Sequence, residues 1–313
     1  MIHKISVIGA GRMGQCIASE YARHGYLVSL YDPYEETVKG VLGRIEADLK
    51  FMAQEGVISE SVIPDTLSRI SVYTDLKAAV KDADYLIEAV PEDLTLKQDL
   101  MAKLDELCPS HTIFATNTSS LKLSDITSKL PQSRKELSLV VHWYNPPHLI
   151  PLVEVSSFGD TAPQVYEAVY NLHLKCEKEP INVRKDLTGM VANRILHSQA
   201  REIFHLMEIG AASAEDIDRA LKFGPGFRSA TTGILESADM GGLDIWLIGE
   251  DNMLPTLCND GKACDMLRNK VAEGKLGMKT GEGFYSYSPE EREQKHKDFQ
   301  RRLMTQYKVS KTY

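Results

Sequence analysis

The 313 residues predict an α/β chain, with a doubly wound, mostly parallel sheet followed by an all-helical C-terminal domain. Three observations predict it. Short apolar runs alternate with helical patterns through the first half. Two of those runs, 27–31 and 85–90, are apolar at most successive positions, as in strands buried on both faces. After about residue 185 the strands give out and helical periodicity continues alone.

The strand candidates are 5–8, 27–31, 85–90, 112–115, 139–142 and 152–155. Helical patterns at 16–24, 34–55, 76–81 and 94–107 separate them. A long helical pattern follows at 187–209, with Met190, Ile195, Ile203, Leu206 and Met207 as its apolar positions. Ser213 then reads as a helix cap, with Glu215 and Asp216 in the first turn. Only 283–287 in this half resembles a strand. The charged tail, 289–313, places Phe299, Leu303, Met304 and Tyr307 at helical spacing and predicts an amphipathic helix docked on the body. The change of pattern near 184–186 divides the chain into domains 1–184 and 185–313.

With 43% hydrophobic and 26% charged residues the chain can bury a real core, which excludes a disordered or low-complexity protein. Lys+Arg 36 against Asp+Glu 44 leaves a net charge of −8, so no basic surplus exists to neutralise a nucleic-acid backbone. There is no run of eighteen apolar residues, so no membrane span is expected. A strand beginning at residue 4 leaves no room for a signal peptide. The five cysteines are scattered, without zinc-ligand spacing or a disulfide framework. The expectation is a cytoplasmic protein with reduced thiols and no metal.

Gly9-Ala10-Gly11-Arg12-Met13-Gly14 matches G-x-G-x-x-G between a strand and a helix. Gly9 permits the tight turn, Gly11 lets backbone approach a pyrophosphate, and Gly14 allows close helix–strand packing. Asp32 ends the next strand, 18 residues after Gly14, where a ribose-binding acid belongs. A carboxylate there repels a 2′-phosphate and Pro33-Tyr34-Glu35-Glu36 offers no arginine in compensation, so the expected cofactor is NAD rather than NADP.

His142 closes the apolar run 139–141, at what reads as the carboxyl end of a buried strand. Glu154 sits inside Pro151-Leu152-Val153-Glu154-Val155, where a carboxylate is costly unless paired. If the two strands are neighbours, His142 is its partner and Glu154 would fix the ring's tautomer. Spacing alone favours a purely structural pair. The same holds for Ser119 within Thr116-Asn117-Thr118-Ser119-Ser120 and for Asn193-Arg194, which also read as a capped loop and a solvated helix face.

Taken together, these motifs resemble the L-3-hydroxyacyl-CoA dehydrogenase family, a Rossmann-type fold. The resemblance runs from about residue 4 to 287. It includes Glu88-Ala89-Val90-Pro91-Glu92, Asn117-Thr118-Ser119-Ser120-Leu121, His142-Trp143-Tyr144-Asn145-Pro146-Pro147, Asn193-Arg194 and Lys279-Thr280-Gly281-Glu282-Gly283-Phe284-Tyr285. It implies oxidation of a hydroxyl to a carbonyl, with His142 as catalytic base, Glu154 orienting it, and Ser119 and Asn193 holding the reacting oxygen. It implies cofactor contacts at Arg12, Met13, Glu92, Lys97, Asn145 and Lys279, beside Gly9, Gly11, Gly14 and Asp32. It implies a helical second domain that builds a homodimer. Trp143-Tyr144 replaces the paired phenylalanines common in acyl-CoA members, which is closer to the gulonate, carnitine and pyridoxine-degradation relatives. The stretch 51–65 carries Glu55, Glu60 and Asp65 and no basic residue, a poor surface for coenzyme A phosphates, although Lys39, Arg44 and Lys50 lie nearby. Two substrate classes stay open, a 3-hydroxyacyl-CoA and a small hydroxy acid or polar alcohol. A non-catalytic dinucleotide-binding or structural protein is the alternative of another class.

Overall fold

The computed structural model describes residues 2–312. They form two compact units, Met1–Ala192 and Asn193–Tyr313. The first unit is built on one sheet of eight strands. These are β1 (Lys4–Ile8), β2 (Leu27–Tyr31), β3 (Ile70–Tyr73), β4 (Tyr85–Glu88), β5 (Ile113–Thr116), β6 (Ser138–Trp143), β7 (Leu152–Ser156) and β8 (Glu179–Val183). Their order is β3-β2-β1-β4-β5-β6-β7-β8. The first six are parallel, β7 pairs antiparallel with β6, and β8 runs parallel to β7. The order reverses between β1 and β4, and the carboxyl ends of those strands open the crevice where such sheets hold ligands.

Helices cover the sheet because parallel neighbours need long crossovers. The helix Arg12–Arg23, between β1 and β2, is buried at every position from Gly14 to Ala22. Its one buried acid, Glu20, pairs with Lys178 at 3.0 Å and with Arg23 at 3.0 Å. Burial pushes the Glu20 carboxyl up, but those two cations outweigh it and lower its pKa to about 2. Asp93 caps the helix Leu94–Leu107 by accepting from the Leu96 N–H. Trp143 is buried edge-on against Tyr21 and His173, with ring centroids 5.4 and 5.2 Å away. Successive strand residues face opposite ways, so anchoring Trp143 in the core sends His142 to the other face.

Several elements differ from the sequence expectation. β3 and β8 were not expected as strands. β3 is a short edge strand, and β8 contains Pro180, tolerable because β8 is also an edge. The pattern at 34–55 is two helices, Glu35–Val38 and Val41–Gln54, broken where Gly40 takes φ +71°. The long helix begins at Ala192 rather than 187, because Gly189 and Met190 both adopt positive φ. Residues 283–287 make only an isolated bridge, Glu282↔Ser286, since the chain turns at Gly281 with φ +92° before a ladder can extend.

The second unit is helical, from Ala192–Glu208 to Pro289–Ser310. The last helix opens with a capping box of Ser288 and Glu291, and buries Met304 and Tyr307 while Phe299 stays exposed. No helix of the described residues is long and apolar enough to cross a membrane.

Candidate active site

Packing accounts for two of the three motif glycines in the turn and not for the third. Gly9 has φ +108°, and a Cβ there would lie 2.7 Å from the Ala89 carbonyl oxygen. A Cβ at Gly14 would lie 1.7 Å from the Gly9 carbonyl oxygen. Both positions therefore require glycine for the fold. Gly11 differs, because a Cβ there would meet no protein atom within 4 Å. Packing does not demand glycine at Gly11, whereas a pyrophosphate lying against the backbone would. The helix Arg12–Arg23 has no side-chain cap, which leaves its first amides for an anion. Arg12 holds Asp48 at 2.6 Å and Met13 is half-buried.

Asp32, 8% exposed, is fixed before any ligand arrives. Its Oδ2 accepts from the Ala10 N–H at 3.0 Å and its Oδ1 from the Tyr34 N–H at 3.1 Å. Each oxygen keeps a further lone pair, enough for two ribose hydroxyls. The residues present fit a dinucleotide.

His142 and Glu154 are direct cross-strand partners in β6 and β7. The His142 Nδ1 lies 2.8 Å from Glu154 Oε2, and Glu154 is fully buried. The other oxygen, Oε1, accepts from the Val191 and Ala192 N–H groups, each at 2.9 Å. Burial pushes the Glu154 carboxyl up, yet the His142 hydrogen bond and the two amides outweigh it and hold it below the ordinary value. An ionised carboxylate only accepts, so Nδ1 carries the ring proton and Nε2 is left with its lone pair. Those two amides come from a turn in which Met190 takes φ +47°, a left-handed conformation costing a side chain about 1–2 kcal/mol. Met190 is itself buried against Leu123, Val140 and Val183.

Glu92 and Lys97 belong to a second polar network. Lys97 is buried with its Nζ 2.6 Å from Glu88 Oε1 and 3.2 Å from Glu92 Oε2. Glu88 also accepts from the Val90 N–H and the Thr116 hydroxyl. Glu92 accepts from the Thr118 and Ser120 hydroxyls and from the Ser119 and Ser120 N–H groups. Burial pushes Glu92 up, but those hydroxyls and Lys97 lower its pKa to about 2. The network thus pins the loop after β5, including Ser119, to the loop after β4. Asn117 ties the same loop to β6 by accepting from the Trp143 N–H at 2.8 Å.

The sheet therefore brings Gly9, Glu92, Ser119 and His142 to one edge, at the carboxyl ends of β1, β4, β5 and β6. The Ser119 side chain is half-buried and makes no hydrogen bond among the described residues. Of the aromatic pair after His142, Trp143 is core, while the Tyr144 ring lies edge-on to His142 with centroids 6.3 Å apart. Asn145 is exposed and precedes a cis peptide bond to Pro146. Asn193 and Lys279 belong to the second unit. Asn193 is the second residue of the helix Ala192–Glu208, and Lys279 is exposed in the turn between Gly277 and Gly281. The amides of Val191 and Ala192 were not legible in the sequence, since backbone donors leave no residue-type signal. Glu88 was legible, because a carboxylate inside an apolar run needs a partner as Glu154 does.

Comparison with known proteins adds to this geometry. The family model for the 3-hydroxyacyl-CoA dehydrogenase NAD binding domain matches residues 4–187, and that for its C-terminal domain matches 189–287. The chain is 32% identical over 291 residues to 5-formyl-3-hydroxy-2-methylpyridine 4-carboxylate 5-dehydrogenase of Mesorhizobium japonicum, covering 93% of each chain. It is 35% identical over 292 residues to the mitochondrial hydroxyacyl-coenzyme A dehydrogenase of Rattus norvegicus, covering 92% of each. A crystal structure of a 5-formyl-3-hydroxy-2-methylpyridine 4-carboxylic acid 5-dehydrogenase, described as an NAD+ dependent dismutase, is similar with a TM-score of 0.91 and 31% identity, over 99% of this chain and 98% of that one. A glycine turn at the carboxyl end of β1, a buried acid fixed beside it and both family domains in sequence lead to one conclusion: the chain belongs to the 3-hydroxyacyl-CoA dehydrogenase family and is an NAD-dependent dehydrogenase acting on CH–OH groups.

Proposed function

We propose that this enzyme oxidises a small, CoA-free hydroxy acid or polar alcohol, with His142 as its general base. The observation that carries the chemistry is the His142 Nδ1 held 2.8 Å from a buried, ionised Glu154, which leaves Nε2 to take the hydroxyl proton. Glu154 stabilises the imidazolium that results, and its two amide contacts stop it from rotating away. Ser119 and Asn193 hold the reacting oxygen. NAD, when bound, accepts the hydride from the same carbon. Gly9, Gly11, Arg12, Met13 and Gly14 cradle its pyrophosphate and Asp32 holds its adenosine ribose, with Glu92, Lys97, Asn145 and Lys279 toward its other contacts.

Electrostatics support the CoA-free substrate. Glu60 and Asp65 are exposed in the 51–65 segment. Of the three basic residues beside it, Arg44 and Lys50 are already engaged, which leaves Lys39. Lys50 pairs with Glu46 at 2.6 Å, and Arg44 donates to Gln15 and to the Lys39 and Thr37 carbonyls. Coenzyme A phosphates would meet little uncommitted positive charge there. The likeness to a pyridine carboxylate dehydrogenase points the same way, and the likeness to the rat enzyme points to an acyl-CoA. Acetoacetyl-CoA reduction by NADH, assayed beside small keto acids, ketones and a pyridine carboxaldehyde, decides between them. The reading expects turnover with a small carbonyl and little with acetoacetyl-CoA; the reverse ranking overturns it.

Asp32→Ala is expected to erode the preference for NAD over NADP, read as the ratio of kcat/KM values; an unchanged ratio removes Asp32 from cofactor selection. The helical domain expected at 185–313 forms a homodimer, and the second unit, Asn193–Tyr313, carries most of it. Large apolar side chains crowd its surface, among them Phe223, Phe227, Leu235, Ile245 and Leu247, with Leu235 84% exposed. Sedimentation is expected to show a dimer that Leu235→Glu weakens, and a wild-type monomer would contradict this. The five free cysteines suit a cytoplasmic, reducing compartment.

A further inference from the structure

Three residues from separate segments of the first unit converge near the glycine turn. Cys16 lies in the helix Arg12–Arg23, Asp48 in the helix Val41–Gln54, and His148 in the segment between β6 and β7. One ligand atom from each lies within 4.8 Å of the others. We propose that Cys16, Asp48 and His148 bind a Zn2+ ion, with water completing its coordination. The oxidoreductase chemistry does not use this site.

His148 points to a ligand independently of that convergence. It is only 4% exposed, and neither of its ring nitrogens has a hydrogen-bond partner. A buried imidazole with both nitrogens unmatched is costly and calls for a partner. Burial lowers its pKa to about 4, so the ring is neutral at physiological pH and offers a lone pair. Burial also pushes the Cys16 thiol up to about 12, so without a metal it is an inert thiol and not a nucleophile. Metal coordination ionises such a thiol. The S–H bond breaks, an S–Zn bond forms, the proton passes to solvent, and nothing is oxidised or reduced.

The charge and the ligand types suit zinc. One thiolate and one carboxylate balance the dication, and a neutral imidazole adds the third ligand. Sulfur and nitrogen donors select against Ca2+ and Mg2+, which take oxygen. Asp48 Oδ2 accepts from Arg12, and a carboxylate with two oxygens can serve a cation and a metal together. Ligand atoms around tetrahedral zinc stand about 3.3–3.7 Å apart, so small side-chain movements close the present spacing. The ligands lie far apart along the chain, which is why no sequence spacing revealed them.

Titration of the chelator-treated full-length protein with Co2+ tests this. The expected result is one Co2+ per chain with a thiolate-to-cobalt charge-transfer band, which is lost in Cys16→Ser, weakened in His148→Gln and kept in Cys108→Ser and Cys258→Ser. Absence of the band in the wild type, or its persistence in Cys16→Ser, overturns the proposal. Anomalous diffraction at the zinc edge, from crystals grown with Zn2+, needs no variant. It should place a peak among the three side chains, and no peak there overturns the site.

Discussion

His142→Ala lowers kcat for alcohol oxidation by about 10²–10⁴ while NADH binding, read by fluorescence, is retained. The effect is large because no other described side chain pairs with Glu154 at this edge of the sheet. Binding survives because the glycine turn follows β1, and β4 and β5 separate β1 from β6. At a strand spacing near 4.8 Å this puts the two sites on the order of 14 Å apart across the sheet. Turnover at the wild-type rate would remove His142 from the reaction. Loss of NADH binding together with activity would mean that the residue supports the fold instead.

Lys97→Met destabilises the protein by about 3–5 kcal/mol, read as a fall in the urea midpoint at constant m value. Methionine conserves most of the volume, so the loss reports the carboxylate of Glu88 left in the core without its cation rather than a cavity. Adding Glu88→Gln should recover part of it, since the buried charge then disappears along with its partner. A loss below about 1 kcal/mol would show that the pair behaves like one at the surface. The acid limb follows the sign of Glu92. Its pKa is lowered from 4.5 to about 2, so its contribution is present above 4.5 and is lost as pH falls toward 2. Lys97→Met removes one cause of that depression and should move acid unfolding to higher pH.

The part of this site that could be read from residues alone is the part that burial makes obligatory. Glu154 lies inside an apolar strand, and a carboxylate there needs a partner. His142, at the end of the preceding apolar strand, was the candidate, and the antiparallel register of β6 and β7 sets the two opposite each other. Glu88 obeys the same rule, since it lies inside the apolar run 85–90 and Lys97 is the partner that its carboxylate needs there. Backbone donors are a different matter. The Val191 and Ala192 amides reach Glu154 because Gly189 and Met190 adopt positive φ, and Met190 had been read as a helical position. β8 was hidden by Pro180, which argues against a strand except at an edge. The aromatic pair Trp143-Tyr144 had been weighed as one substrate signal, yet only Tyr144 lies beside His142.

The pH dependence of kcat/KM for oxidation, compared between the wild type and Glu154→Gln, tests the central claim most directly. Without the buried anion, the charge that develops on the ring loses its counter-ion and the amide can reverse the ring's tautomer. The account therefore predicts a lower plateau and an altered pH profile, with NADH binding intact. Superimposable profiles would contradict it, since they would mean that the carboxylate against His142 has no part in moving the substrate's proton.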